Sequence, residues 1–258
     1  MRLGVCTPID GANAAQDAGF DYIEPAVADL VPDKPEAEFA TVREKAAASE
    51  IKPEAFNCFI PGELNITGPD ADLGALKKYV SVVCERAKKV GADVIVFGSG
   101  GARAVPEGFP VDKAMGQVSA FLDAIAPIAA SPGIVIAIEP LRKAECNIIN
   151  LVKEGYELAR RANHSAIRGL ADLYHVGQEG EPYENIIDGG ELLAHVHMAH
   201  PGHRNCPLPD DGFDYKPFFR ALKQANYDGR ISVESGWDDF AAQGAVVVEY
   251  LKSEWQKA

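Results

Sequence analysis

Four residues able to bind protons or metal ions fall at the ends of short apolar runs in the second half of the chain. Glu139 closes IVIAIE, Asp172 closes IRGLAD, His197 lies in LLAHVHM, and Glu234 closes RISVE. Their successive spacings are 33, 25 and 37 residues, about the length of a strand, a helix and two loops. Any one of these acidic residues alone reads as a helix cap or a loop acceptor. Together they read differently, because a carboxylate inside an apolar run is costly unless it is paired or metal-bound. Two Glu, one Asp and one His form a mixed oxygen and nitrogen set suited to one divalent ion: Mn²⁺, Mg²⁺ or Co²⁺, with Zn²⁺ also compatible.

Side chains so far apart in the chain need a scaffold that brings strand ends together. Runs rich in Val, Ile, Leu and Ala predict eight strands, at 2–6, 22–25, 53–58, 94–98, 134–139, 168–173, 194–198 and 230–234. Eight units in 258 residues average about 32 each, the repeat of a (β/α)8 TIM barrel. Between them, apolar residues recur at three- and four-residue spacing, as in Leu73, Leu76, Val80, Val83, Cys84 and Ala87, with Gly91 as a helix stop. Segments 112–130, 151–162 and 238–255 carry similar helical patterns. A doubly wound sheet is disfavoured, since the first strand and turn lack GxGxxG and the chain lacks GxxxxGK[ST]. No linker or composition shift divides the chain, so residues 1–258 are expected to form a single α/β barrel domain. In such barrels reactive groups project from the carboxyl ends of the strands, where the four residues lie.

Composition excludes other classes. With 47% hydrophobic and 24% charged residues the chain is globular, and 25 Lys plus Arg against 38 Asp plus Glu give a net charge of -13. Such a surface repels nucleic acid and anionic membranes. Five scattered cysteines without a CxxC pair do not form a disulfide framework or a zinc ribbon. The N-terminal apolar run is too short for a signal-peptide core, and no stretch reaches the ~20 residues that span a bilayer. A cytoplasmic location is expected, and a homo-oligomer is compatible with everything above.

These residues resemble the xylose isomerase-like barrel superfamily of sugar and sugar-phosphate isomerases and epimerases, including the ketose 3-epimerases, over essentially the whole chain. The resemblance implies that Glu139, Asp172, His197 and Glu234 form a divalent-metal site, and that His175, in the motif Asp172-Leu-Tyr-His175, contacts substrate. It implies that Glu145 bonds a substrate hydroxyl and that Arg204 binds the far end of a sugar, with His200 and His203 as competitors for that place. A cation at the mouth would chelate two adjacent oxygens of an α-hydroxy ketone or aldehyde and stabilise the enediolate formed on proton loss. Glu139 and Glu234 would be the acid/base pair. The expected function is therefore metal-dependent sugar isomerisation or epimerisation on a small sugar or keto-polyol. The alternatives are a lyase dehydrating a keto-inositol or 3-keto sugar and a non-catalytic sugar-binding barrel.

Other residues carry competing readings. The endonuclease IV branch needs His ligands on the second to fourth strands, and this chain has none there. His195 alternates with His197 and is read as a hydrogen-bonded core residue one layer deeper. Glu24 reads equally as a substrate contact or a rim ion pair. The Gly98 to Gly101 loop reads as a turn clearing the barrel mouth or as a phosphate cradle, with Arg103 and Arg142 as cations for a phosphorylated substrate. Cys6 and Cys58 are expected to be small core residues, and Phe59, Phe109 and Trp237 to wall a sugar or shield the metal.

Overall fold

A computed structural model describes residues 1–258. Its strands are β1 (Arg2–Cys6), β2 (Tyr22–Glu24), β3 (Ala55–Phe56), β4 (Val94–Phe97), β5 (Val135–Ile138), β6 (Ile167–Asp172), β7 (Leu193–Met198) and β8 (Arg230–Val233). All neighbours pair in parallel in the order β2-β1-β8-β7-β6-β5-β4-β3. The ends of that order also meet: Ile23 pairs with Pro53 and Ala26 with Asn57, through Ile23 N–H to Lys52 O at 3.1 Å and Asn57 N–H to Pro25 O at 3.0 Å. The sheet is therefore the expected (β/α)8 barrel. Its third strand is shorter than predicted because Pro53 has no N–H to give a ladder and Cys58 turns into the left-handed region at φ 52°.

Helices are α1 (Ala12–Asp17), α2 (Glu36–Ala48), α3 (Leu73–Val90), α4 (Gly100–Arg103), α5 (Val111–Ala130), α6 (Val152–Ala162), α7 (Leu173–Glu179), α8 (Glu184–Ile187), α9 (Lys216–Gln224) and α10 (Phe240–Lys257). Their boundaries have local causes. The Asp72 carboxylate accepts from Gly74 N–H and Ala75 N–H to start α3, and Gly91 ends it in the left-handed conformation at φ 108°. Glu154 reaches back to Asn150 N–H at 2.6 Å and Leu151 N–H at 3.1 Å to start α6. No helix is long and apolar enough to cross a membrane.

Strand alternation decides what the barrel encloses. Outward residues such as Ile95, Phe97, Ile136 and Ile138 pack into an apolar layer with α3 and α5. Inward residues divide into two halves. Ala55, Val94, Val96, Ala137 and Leu170 form a small dry cluster on one side. Tyr22, Glu24, His195, His197 and Ser232 form a fully buried polar cluster on the other. On β2, β5, β6, β7 and β8 the inward parity continues upward to Glu24, Glu139, Asp172, His197 and Glu234. The barrel floor and the site above it are thus two layers of one side-chain stack.

Candidate metal centre at the barrel mouth

The four residues singled out by type and spacing do meet. One ligand atom from each of Glu139, Asp172, His197 and Glu234 lies within 4.8 Å of all the others. His197 Nδ1 faces the three carboxylates, at 3.0 Å from Glu139 Oε1, 3.5 Å from Glu234 Oε2 and 4.0 Å from Asp172 Oδ2. Asp172 caps a helix and also faces the other three groups. Its Oδ1 caps α7, accepting from Tyr174 N–H at 2.6 Å and His175 N–H at 3.4 Å, while Oδ2 turns to the site.

Three carboxylates and an imidazole packed together out of water must be neutralised, and their proton affinities show it. Burial, then the charge of Glu234, pushes the Asp172 carboxyl up to about 6. Burial also raises Glu139. Burial opposes ionisation of Glu234 as well, but attraction from His197 and Arg204 outweighs it and holds that carboxyl down at about 2. His197 is raised well above an ordinary histidine, because Glu24, Glu234 and Glu139 together outweigh its burial. Hard oxygen donors with one imidazole suit a divalent cation. A cation would supply the positive charge that the protein on its own draws from protons, so the residues fit the group.

The other predicted residues line the rim. His175 begins α7 rather than ending β6, and is fully buried. Its Nδ1 accepts from Arg142 N–H at 3.1 Å, so the neutral ring carries its proton on Nε2. That nitrogen has no hydrogen-bond partner and lies 3.8 Å from Asp172 Oδ2 and 4.0 Å from Glu145 Oε2. Arg204 reaches Glu234 Oε2 at 2.8 Å and Glu145 at 3.4 Å. His200 and His203 instead stack on each other, ring centroids 3.8 Å apart, with Phe213 beside them. Arg204 is thus the member of that loop at the site.

Several expectations give way to the structure. Glu24 contacts neither substrate space nor a rim cation: it is fully buried beneath His197. Arg103, read as a phosphate ligand, is fully buried and donates to Phe97 O, Glu139 O and Ile149 O. In the Gly98 loop Ser99 Oγ accepts from Ile60 N–H at 2.9 Å, and a Cβ on Gly98 would overlap Glu139 Oε2, so this glycine gives the Glu139 side chain its room at the barrel mouth. Cys58 is exposed rather than in the core, while Phe59 is buried edge-on to Phe97. Trp237 packs on Phe20 and Phe240. Tyr174, which no sequence motif marks, lies beneath the guanidinium groups of Arg142 and Arg204, at 5.2 Å and 4.9 Å.

The Gly98 contact makes a prediction. The overlapped atom is the far end of a side chain, so Gly98→Ala should leave the melting temperature nearly unchanged while displacing the Glu139 carboxylate. Misplacement of that order costs roughly 10²-fold in turnover. Wild-type kinetics in a folded Gly98→Ala protein would show that Glu139 is not held by this contact.

Fold and site together define a (β/α)8 barrel with a candidate carboxylate and histidine cation site at its carboxyl mouth. The chain belongs to the xylose isomerase-like TIM barrel family, whose model matches residues 12–254. It is similar to the L-ribulose 3-epimerase of Methylomonas sp. (strain DH-1), 32% identical over 117 residues covering 45% of this chain and 40% of that protein. The chain thus spans well under half the length of that relative. A longer match joins it to the D-psicose 3-epimerase of Agrobacterium fabrum, 28% identical over 225 residues, 84% of this chain and 75% of the relative. In fold it is similar to the D-allulose 3-epimerase of Methylomonas sp. solved with D-allulose, with a TM-score of 0.84, 22% identity, and coverage of 98% and 97% of the two chains.

Proposed function

We propose that this chain is a single-domain, divalent-metal-dependent sugar epimerase that inverts a carbon next to a carbonyl, with a ketose as substrate. The observation that carries this reading is the convergence of Glu139, Asp172, His197 and Glu234 within 4.8 Å. The 3-epimerase relatives add the reaction class, because the C3 of a ketose adjoins its C2 carbonyl and its C–H is the acidic one. Glu139, Asp172, His197 and Glu234 would hold the ion. When bound, the ion would polarise the carbonyl and its neighbouring hydroxyl and stabilise the enediolate charge.

The chain's own residues would do the rest. Glu139 and Glu234 follow β5 and β8, with two strands between them, and can approach a substrate from different sides. Their surroundings push their proton affinities in opposite directions, which suits one to give a proton while the other takes one. His175 Nε2–H is a fixed donor for a substrate oxygen. Glu145 and Arg204 would bind hydroxyls at the far end, with Tyr174 holding the Arg204 guanidinium in place.

Turnover in D₂O with a panel of ketoses, keto-inositols and their phosphates, each with Mn²⁺, Mg²⁺ or Co²⁺, tests the reading. Deuterium should enter at the epimerised carbon with the formula otherwise unchanged. Loss of water would establish the lyase instead, and a metal-loaded protein inert to every member would favour the binding barrel.

Metal affinity should depend on pH in a stated direction. A cation would need ionised carboxylates and an unprotonated His197 Nδ1, whereas Asp172 takes up a proton near pH 6 and His197 holds its proton to well above 6.5. Mn²⁺ affinity should therefore rise with pH, and below pH 6 fall by about tenfold per unit for each proton displaced. Calorimetric titration with Mn²⁺ from pH 5 to pH 8 measures this, and a flat profile would contradict it.

A further inference from the structure

The fourth carboxylate of the stack, Glu24, stands apart from the other three acidic groups, yet the histidine they surround rests on it. Glu24 Oε1 lies 2.7 Å from His197 Nε2. Its Oε2 lies 2.7 Å from His195 Nε2 and 2.5 Å from Ser232 Oγ. Ser232 Oγ in turn lies 2.8 Å from Tyr22 Oη. Every member of this cluster is fully buried. A buried carboxylate without water needs donors, and these neighbours supply three, two from β7 and one from β8.

The donor count orders the whole cluster. An ionised carboxylate only accepts, so Ser232 donates its hydroxyl proton to Glu24 and accepts from Tyr22. His195 and His197 likewise donate from Nε2. With its proton on Nε2, a neutral His197 presents a bare lone pair at Nδ1, the nitrogen that faces Glu139, Asp172 and Glu234. The opposite tautomer would aim an N–H at the cation position and set two lone pairs, on Nε2 and on Glu24, against each other.

We propose that Glu24 is the positioning residue of the metal centre. It fixes both the tautomer and the ring orientation of His197, and is itself fixed by His195 and by Ser232 backed by Tyr22. This rests on the metal reading above. Glu24 acts through His197 and not on substrate, so its effect belongs in metal affinity, with turnover recovering at saturating metal. Carboxylate partners of ligating histidines elsewhere contribute about 10- to 100-fold in affinity.

Calorimetric Mn²⁺ titration of the metal-free full chain tests it. Glu24→Gln is expected to bind Mn²⁺ about 10- to 100-fold more weakly, with most of the wild-type kcat returning at saturating Mn²⁺. In a His197→Gln background the same change should cost nothing further, because the residue it acts through is gone. A residue that only stabilised the barrel would lower the melting temperature and leave Mn²⁺ affinity alone. Unchanged affinity in Glu24→Gln, or an equal loss with and without His197, overturns the proposal. Should Glu24→Gln fail to fold, Ser232→Ala removes one donor to Glu24 and touches no ligand. It should weaken Mn²⁺ by a smaller factor, and wild-type affinity there overturns the proposal as well. A wild-type chain that binds no Mn²⁺, Mg²⁺, Co²⁺ or Zn²⁺ removes the metal reading itself, a result distinct from both.

Discussion

Glu139→Gln and Glu234→Gln are each expected to lose about 10²- to 10⁴-fold in turnover, the range for removing a positioned proton-transfer group. The amide keeps the size of the carboxylate and an oxygen able to face a cation, but it can neither take nor hold a proton. The two variants should also fail differently. Starting from one epimer in D₂O, the variant that lacks the group on the far face can still remove the proton, and it returns deuterium to the same face. The variant that lacks the group on the near face exchanges nothing. Starting from the opposite epimer, the two behaviours should trade places. Proton NMR of the recovered sugar reads both exchange and inversion. Normal turnover and metal content in both variants would remove these residues from the mechanism. Neighbouring contacts predict a further asymmetry: Glu139→Gln loses an oxygen 3.0 Å from His197 Nδ1, whereas Glu234→Gln weakens the 2.8 Å ion pair to Arg204. The second variant should therefore show the greater rise in KM for sugar, because Arg204 loses its anchor.

The four ligand-type residues were legible because each obeys a local rule. Each closes or completes an apolar strand run, and barrel geometry sends such ends to one mouth. Alternation also identified His195 as a hydrogen-bonded residue one layer below His197, where it meets Glu24. The residues that support these four were not legible, for a physical reason. Glu24 finds its partners 171, 173 and 208 positions away, across the barrel, and no local pattern distinguishes a carboxylate pointing under a histidine from one pointing at solvent. The three-residue length of β2 made Glu24 look like a rim residue. Arg103 misled in the same way: a cation beside Gly100 and Gly101 suggests an anion site, but the single turn of α4 swings its side chain inward. Tyr174 follows Asp172 by two residues, and no sequence pattern marks it, because its role comes from Arg142 and Arg204, which the fold sets over its ring.

Arg103→Met is expected to be among the most damaging single changes in the barrel, although it removes no atom of the site. The guanidinium is fully buried and forms no salt bridge. Its Nη1 donates to Phe97 O at 3.0 Å, and its Nη2 to Glu139 O at 2.8 Å and Ile149 O at 3.3 Å. Its carbon lies 5.5 Å from the Phe97 ring centroid. It therefore ties the ends of β4 and β5 to the loop that leads into α6. Phe97 O and Ile149 O keep backbone donors from Glu139 N–H and Leu141 N–H, whereas the Glu139 carbonyl loses the guanidinium. Hydrogen bonds from a charged donor contribute about 1.5–3 kcal/mol each, and a stranded buried carbonyl costs about 1–3 kcal/mol. Relief of the buried charge offsets part of that loss, so the net destabilisation should be about 3 kcal/mol. For a chain of this size that corresponds to a fall in melting temperature of roughly 6–12 °C. Because the lost bond ends on the backbone of Glu139, a proposed metal ligand, Mn²⁺ affinity should fall along with stability. Lysine at this position carries the charge but not the planar fork that spans three carbonyls, so Arg103→Lys should recover only part of either loss. Thermal melts and Mn²⁺ titration of both variants decide the matter: a melting temperature within about 2 °C of wild type for Arg103→Met would mean that water or a backbone shift satisfies these carbonyls without the guanidinium.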